Sequence, residues 1–533
     1  MKIKANEKII ERYISFFLLI CIVIGVILHV VPYVFNRSLW VDEAMLASSI
    51  FSRDITNLVS SPLDFGQSSA IGWIYIVKII TMAFGTSETT LRILSLISSF
   101  GCIVLTYCLL RDKVRRIYAL YFTAIFALTD RFIYYGNELK PYMFDNMLCL
   151  LTLLIWQKYQ DKKITLWKLV IAYSVTIWFS FSAVFFVAAC MIIECFTLFG
   201  KIIKGKNKHI LCHLCLCAMV LVSFVLNYIF WLSNTSDNAG GAQYWELLRF
   251  PLIPTSFSDI KLIIKMALQF FTFIPRDAMA IFIMLFLMYM FECIQKKEEQ
   301  SHIVVPFGIS LLILFVASYC GFYPIQDRLV QIYQLIVAII AGFGCNMVAT
   351  RIKDKNQNVI NWSVVFYYGV LALCLGVTGM GGCKNLFGSY VYKKGSEVSE
   401  SIAYLKQNLD SDDVVYIFRN SIPVYQYEMD EIRYNSWTEM PDQPTVFDDN
   451  IIYGQSLISY FYQVPYSYEY EENKENVDED TNVIIKNDSV YIFASHGETG
   501  LPWLLEQLEE YGTVEVTVDY YDTHLYHFVK DKE

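Results

Sequence analysis

The run Ile14-Ser15-Phe16-Phe17-Leu18-Leu19-Ile20-Cys21-Ile22-Val23-Ile24-Gly25-Val26-Ile27-Leu28-His29-Val30-Val31-Pro32-Tyr33-Val34-Phe35 carries no charged residue, and it is followed almost at once by Leu39-Trp40-Val41-Asp42-Glu43-Ala44. A helix rises about 1.5 Å per residue, so a run of this length crosses a hydrocarbon core of about 30 Å. The acidic pair then stands just beyond the bilayer, behind a Trp whose indole suits the membrane interface. Lys2, Lys4, Lys8 and Arg12 precede the run in the manner of a signal peptide. The run is longer than a signal core and no small-residue cleavage site follows, so a retained first span is expected.

The rest of the chain agrees. Hydrophobic residues make up 55%, aromatics 16% and charged residues only 17% of 533 positions, more apolar than a soluble globular chain. Apolar runs recur near 90–110, 116–134, 140–157, 165–180, 182–199, 209–232, 278–295, 303–320, 328–350 and 361–380, making eleven with the first. Ala70 to Phe84 and residues 262–275 are shorter and are expected to lie as amphipathic helices in the outer interface.

Short basic loops set the orientation, because cytoplasmic connections collect Lys and Arg. Arg111, Lys113, Arg115 and Arg116 follow the second span, and Lys158, Lys162 and Lys163 follow the fourth. Lys201, Lys204, Lys206 and Lys208, then Lys296 and Lys297, then Arg351, Lys353 and Lys355 continue the alternation. All fall on one side if 70–84 does not cross, which leaves Asp42 and Glu43 on the opposite, extracytoplasmic face.

From Lys384 onward there are 10 Lys+Arg against 29 Asp+Glu, a net of −19 in a chain of net −9. The expected division is therefore 1–383, a transmembrane domain, and 384–533, an acidic soluble domain on the outer side. A helix at Glu397 to Asn408, strands at Val414 to Phe418 and Val490 to Ala494, a helix with Pro502 in its first turn, and strands at Thr513 to Val518 and Leu525 to Val529 suggest a small α/β fold. Glu469 to Asp480 holds seven acidic positions and almost nothing apolar, and reads as a solvated loop or disordered insert. The fold class expected is thus a polytopic α-helical membrane protein of about eleven transmembrane helices, with outer juxtamembrane helices and a C-terminal extracytoplasmic α/β domain.

All fourteen cysteines precede residue 384, so the tail has no disulfide framework. Cys212, His213, Cys215 and Cys217 invite a metal reading, but a helix there turns Cys217 away from Cys212 and Cys215, and membrane-embedded small residues account for them.

Charges near a bilayer are costly and tend to mark sites. Asp42 can serve as a general base that takes a proton from an incoming hydroxyl, or it can cap a juxtamembrane helix running through Ala44 to Phe51. Tyr134-Tyr135-Gly136-Asn137-Glu138-Leu139-Lys140-Pro141-Tyr142 joins spans three and four. There Lys140 can neutralise a phosphate or snorkel to the interface. Tyr323-Pro324-Ile325-Gln326-Asp327-Arg328 leads into span ten, and Arg328 offers a planar fork to phosphate oxygens or an ion pair to Asp327 or another loop carboxylate. Arg92 has Glu88 four residues before it, the spacing of a local pair. Together these residues place carboxylates and cations on one face, as transfer from a phosphate-linked donor to a hydroxyl requires.

The order of these motifs resembles the GT-C superfamily: Trp40-Val41-Asp42-Glu43-Ala44 in the first outer loop, Gly85-x-Ser87-Glu88-x-x-Leu91-Arg92 opening span two, Glu138-Leu139-Lys140-Pro141-Tyr142 opening span four, and Tyr323-Pro324 with Arg328 opening span ten. Within it the chain is similar to bacterial relatives of the protein O-mannosyltransferases and of the lipid A aminoarabinose transferase. Ile402-Ala403-Tyr404-Leu405 and Asp413-Val414-Val415-Tyr416 resemble a recurrent outer domain of that group.

The resemblance implies a glycosyltransferase that uses a polyprenyl-phosphate-linked sugar in the cell membrane, with an unidentified protein, lipid or wall-polymer acceptor and no nucleic acid; a single base activating the acceptor for direct displacement predicts inversion. Asp42 is the implied base, with Glu43 supporting the acceptor or a metal. Lys140, Arg328 and Arg92 are expected at the donor phosphate, and Trp40, Glu138, Tyr142 and Tyr323 along the substrates. Some relatives use a divalent cation near that phosphate. The outer loops of the membrane part contain no His, so a cation here would need an all-carboxylate site, and no metal ligand or cofactor is assigned.

Two other classes fit a polytopic chain with outward charges. A lipid-linked-sugar flippase or other transporter normally keeps ionisable residues near the midplane, whereas spans two to four and nine to eleven keep theirs at the ends. A non-catalytic scaffold would use the acidic domain to bind a partner.

Overall fold

The computed structural model describes residues 2–203, 210–233, 249–272, 276–296, 301–355, 362–387, 397–409, 413–437, 439–441, 443–447, 450–456, 466–495, 501–520 and 522–532. Lys204, Lys206, Lys208 and Lys297 of the basic loops, and the side chain of Cys212, lie outside them.

The membrane part comprises α1 (Lys2–Phe35), α2 (Val41–Ser52), α3 (Ile71–Phe84), α4 (Glu88–Leu110), α5 (Arg116–Leu128), α6 (Asp130–Tyr135), α7 (Tyr142–Gln160), α8 (Leu166–Phe179), α9 (Phe181–Ile203) and α10 (Ile210–Asn227), the last running into a π turn at Tyr228–Leu232. After these come α11 (Phe257–Gln269), α12 (Arg276–Lys296), α13 (Ser301–Tyr319), α14 (Gln331–Lys355) and α15 (Trp362–Cys383). A helix stands at each of the eleven expected places. Eight of the described helices are both long and apolar enough to cross a membrane. Among the others, α5 and α8 have 13 and 14 residues, and α7 carries Asp145, Asn146, Gln157 and Lys158. The third expected span is broken at Thr129, whose extended backbone separates α5 from α6.

The bundle has α14 at its centre, with Ile332, Leu335, Ile336, Ile339 and Ile340 all buried. At the periphery, α1 leaves Phe16, Phe17, Val23 and Ile27 exposed, the expected face toward lipid. Small residues admit close helix approach. A Cβ on Gly25 of α1 would meet Ala127 of α5 at 2.6 Å, and one on Gly344 of α14 would meet the Leu285 carbonyl of α12 at 2.2 Å. Arg92 in the first turn of α4, Leu139 before α7 and Arg328 before α14 meet α2, and the basic residues Arg111, Lys158 and Arg351 stand toward the opposite ends of those helices.

The C-terminal domain contains α16 (Val398–Asn408), β1 (Val414–Ile417), α17 (Ile422–Glu428), β2 (Thr445–Val446), β3 (Ile451–Tyr453), α18 (Tyr466–Ile484), β4 (Ser489–Ser495), α19 (Leu501–Leu508), β5 (Gly512–Tyr520) and β6 (Thr523–Lys530). The sheet order is β2-β3-β1-β4-β6-β5, with β1 parallel to both β3 and β4 and the other pairs antiparallel. Alternate side chains of each strand point to opposite faces. Tyr416, Ile492 and Phe528 pack with Val477, Leu504 and Leu508 of α18 and α19. Ile417, Phe493 and Leu525 pack on the other side with Val398, Ile402 and Leu405 of α16 and Val424 and Tyr425 of α17, and that cluster continues into Met45, Leu46 and Ile50 of α2.

Residues 469–480 correct an expectation, because the acidic stretch is helical and falls within α18. Its last acid, Asp480, is buried and accepts from the Tyr416 hydroxyl at 2.6 Å and from the Gln455 amide at 2.9 Å. Charge density hid a helix whose C-terminal half packs on the sheet.

Candidate functional site

The two acids of the first loop have different surroundings. Glu43 is fully buried, and its Oε1 accepts from Arg92 Nε at 2.9 Å and from the Leu139 amide at 2.6 Å. Its Oε2 takes Arg92 Nη2 at 2.7 Å and Arg37 Nη1 at 3.1 Å, and also faces the Trp40 amide at 3.3 Å. That last contact is one half of a capping box, for Glu43 is the third residue of α2 and Trp40 its N-cap. Burial alone would raise the carboxyl, but Arg92 and Arg37 outweigh it and hold Glu43 at about 2.

Arg92 is equally committed. Besides Glu43, its guanidinium donates to the carbonyls of Arg37 at 2.5 Å and Ser38 at 3.0 Å. The expected local pair with Glu88 is not formed, and Glu88 instead accepts from Asn36 at 3.3 Å. Both Glu43 and Arg92 therefore serve to lock α2 to α4 and to the 136–141 loop.

Asp42, one residue earlier and turned the other way, keeps 17% of its side chain exposed. Its Oδ2 accepts from Arg328 Nη1 at 3.1 Å. It does not cap α2, because Trp40 holds that position and Asp42 lies within the first turn. Arg328 is 24% exposed and also donates from Nε to Gln326 at 3.2 Å. Asp327 is not its partner, since Arg131 forks onto Asp327, which Thr272 and Gln334 also bond at 2.7 Å.

Beside this pair lies the 136–141 loop. Trp40 Nε1 donates to Glu138 Oε1 at 2.9 Å, while the buried Oε2 of Glu138 has no hydrogen-bond partner among the described residues. Burial and the neighbouring charge of Glu43 push Glu138 up to about 7, against the pull of Arg37, Lys140 and Arg328. Ser95 of α4 holds the loop by donating to the Glu138 carbonyl at 2.7 Å. Lys140 is buried, and its Nζ donates to Gln67 Oε1 at 2.6 Å. Burial lowers its pKa, with Arg328 adding to the effect and Asp42, Glu138 and Glu43 opposing it. Lys140 thus stands in the same field of charge as Asp42 and Arg328.

Tyr142, at the first position of α7, sets its ring edge-on to Tyr135 at 5.4 Å among Arg328, Glu138 and Asp42. Tyr323 lies farther in, with its hydroxyl 3.0 Å from Ser182 Oγ and 3.3 Å from the Leu329 carbonyl it donates to. It fixes the loop that carries Arg328. Asp42, Arg328, Lys140, Glu138, Tyr142 and Trp40 are thereby brought together, with Glu43 and Arg92 behind them and Tyr323 at the side.

Arg37 and Gln67 went unnoticed in the sequence. An arginine next to the first span on the side without basic loops was the signal for Arg37, whereas nothing in the 60–69 stretch distinguishes Gln67. Among the described residues no three His, Cys, Asp or Glu side chains are grouped to hold a metal ion. Glu43 is saturated by arginines, so its carboxylate is not open to a cation as arranged.

The C-terminal domain closes over α2. Ser38 Oγ donates to Ser399 Oγ at 2.9 Å, which in turn donates to Glu428 at 2.7 Å. The Phe65 amide donates to the Asn435 carbonyl at 2.7 Å, and the Phe65 ring meets Trp437 edge-on at 5.2 Å.

Two solved structures of ArnT from Cupriavidus metallidurans, one bound to undecaprenyl phosphate and one in the apo state, share this architecture with a TM-score of 0.53 and 11% identity, over 96% of this chain and 98% of theirs. The chain shares the fold of these two structures. The Archaeoglobus fulgidus oligosaccharyltransferase, in complex with Zn and sulfate, gives a TM-score of 0.47 at 12% identity over 94% of this chain and 73% of that one. No protein-family profile and no curated protein sequence matches the chain. With 96% of the chain covered, the likeness to the ArnT structures takes in both the membrane helices and the C-terminal domain.

Proposed function

We propose that the protein is a membrane glycosyltransferase that moves a sugar from a polyprenyl-phosphate donor to an acceptor hydroxyl on the extracytoplasmic face, where the C-terminal domain also lies. The observation that carries this reading is the Asp42–Arg328 contact, a partly exposed carboxylate and a partly exposed guanidinium 3.1 Å apart at the end of the bundle remote from the basic loops. The ArnT structure bound to undecaprenyl phosphate supports a lipid-phosphate donor for this fold.

In this mechanism the donor phosphate draws Arg328 away from Asp42 and onto its own oxygens, with Lys140 as a second cation. Asp42, released from Arg328, accepts the proton of the acceptor hydroxyl as that oxygen attacks the anomeric carbon. The bond from that carbon to the phosphate oxygen breaks, and polyprenyl phosphate leaves with the electron pair, held by Arg328 and Lys140. One displacement inverts the anomeric configuration, as in the inverting glycosidases where one carboxylate prepares the attacking oxygen. Glu43 and Arg92 hold α2 in place and take no part in the chemistry, in place of the roles the resemblance implied for them. Glu138, Tyr142 and Trp40 line the substrates.

Incubating the purified protein with radiolabelled polyprenyl-phosphate sugars and candidate acceptors tests the reading. Labelled product of inverted configuration together with free polyprenyl phosphate is expected. Movement of intact donor across a liposome without cleavage would make the protein a flippase instead.

A further inference from the structure

Below Tyr142, on the same face of α7, lie Asp145 and Asn146, at the i+3 and i+4 positions and about 5 Å deeper in the bundle. The starts of α7, α9 and α14 meet there. Asp145 Oδ2 accepts from Ser182 Oγ of α9 at 3.3 Å, Ser182 pairs with the Tyr323 hydroxyl, and Asn146 Nδ2 donates to Gln331 Oε1 of α14 at 3.1 Å. Ser180, just before α9, also faces the Asp145 carboxyl, and two buried atoms of this network make no hydrogen bond of ordinary geometry among the described residues, the acceptor Asp145 Oδ1 and the donor Gln331 Nε2. Asp145 is 8% exposed and Gln331 1%.

Leaving such atoms unmade is costly, about 1–3 kcal/mol for each and more for a charged group, and buried polar atoms left so call for a ligand or ordered water. A second phosphate does not fit, because Asp145 would repel it and no cation bonds the cluster in the described residues. Sugar hydroxyls suit the chemistry of each atom, since a hydroxyl donates to a carboxylate and accepts from an amide. The loop 320–330 links the cluster to the phosphate end, with Tyr323 bonded at one side and Arg328 at the other.

We propose that Asp145 and Gln331, held by Ser182, Tyr323 and Asn146, form a subsite for ring hydroxyls of the donor's sugar, one helical turn inward from the phosphate cations. This subsite rests on the donor proposed above. It makes α7 and α14 the elements that choose the sugar, whereas Arg328 and Lys140 hold any polyprenyl phosphate.

Binding to the purified full-length protein in nanodiscs separates the two. The probes are undecaprenyl phosphate and a panel of undecaprenyl-phosphate hexoses and pentoses, offered to wild type, Asp145→Asn, Gln331→Met and Arg328→Ala. Wild type is expected to prefer at least one sugar-bearing lipid to the bare one. Asp145→Asn and Gln331→Met should each lose about tenfold of that preference, with bare undecaprenyl phosphate bound within about twofold of wild type. Gln331→Met keeps side-chain volume and carries the test if Asp145→Asn fails to fold. An unchanged preference in a folded variant would overturn the subsite, meaning that ordered waters alone satisfy these atoms. Equal loss of bare-lipid binding would also overturn it, as a structural role. If Arg328→Ala binds every lipid as wild type does, the donor reading itself fails, and the subsite with it.

Discussion

Arg328 reaches Asp42 across 286 positions of sequence, with Nη1 3.1 Å from Oδ2, and this contact joins the first loop of the chain to the segment leading into α14. Neither residue is sealed, so the pair can part when a stronger anion arrives. Glu43, next door, cannot do this, because two guanidiniums and two backbone amides saturate it in a buried site.

Arg328→Lys keeps the charge and removes the planar fork. Affinity for polyprenyl phosphate should fall by roughly tenfold, with turnover at saturating donor reduced less. Steady-state KM and kcat for the donor measure this.

Glu43→Ala removes the carboxylate and leaves Arg37 and Arg92 buried beside each other. Breaking a buried ion pair from one side costs about 3–5 kcal/mol. A large drop in unfolding temperature in detergent is expected, together with loss of activity that no excess of donor restores. Unchanged thermal stability would show that Glu43 does not lock α2.

The positions of the apolar helices, the C-terminal α/β domain and the grouping of Asp42, Lys140, Glu138 and Arg328 near one another were legible, because long apolar runs and out-of-place charges stand out in a sequence. The division of labour between Asp42 and Glu43 was not. Both are acids in one helical turn, and what separates them is Arg37 before the helix, Arg92 on α4 and the Leu139 amide on another loop, contacts that local pattern does not encode. Arg92 offered Glu88 at helical spacing, yet burial against Glu43 outcompeted that exposed pair. Residues 469–480 failed for the opposite reason, because their composition is that of a solvated segment, while Val477, Asp480 and Ile484 supply a buried side. Asp145 and Asn146 carry no local signal, because two polar residues inside an apolar run do not reveal which helices they will face.

Glu138 gives the site a pH signature. Its pKa is raised from 4.5 to about 7, so the folded protein holds this proton more tightly than the unfolded chain. Its stabilising contribution is complete below pH 4.5 and is lost as pH rises through about 7. Glu138→Gln keeps an acceptor for Trp40 and removes the titration. Thermal stability of wild type relative to this variant should decline between those two pH values, and a constant difference would contradict the assignment.

Removing residues 384–533 strips the cover from Met45, Leu46 and Ile50 of α2. The remaining membrane part should lose transfer activity even where it is recovered folded, as read by donor cleavage. Full activity without the domain would reduce it to an accessory.

The central claim is that Asp42 takes the acceptor's proton. Single-turnover transfer from a radiolabelled polyprenyl-phosphate sugar, measured for wild type and Asp42→Asn at matched donor occupancy, tests it most directly. The account predicts a fall of at least ~10²-fold with donor binding and melting temperature retained, and near-normal transfer by Asp42→Asn would contradict it.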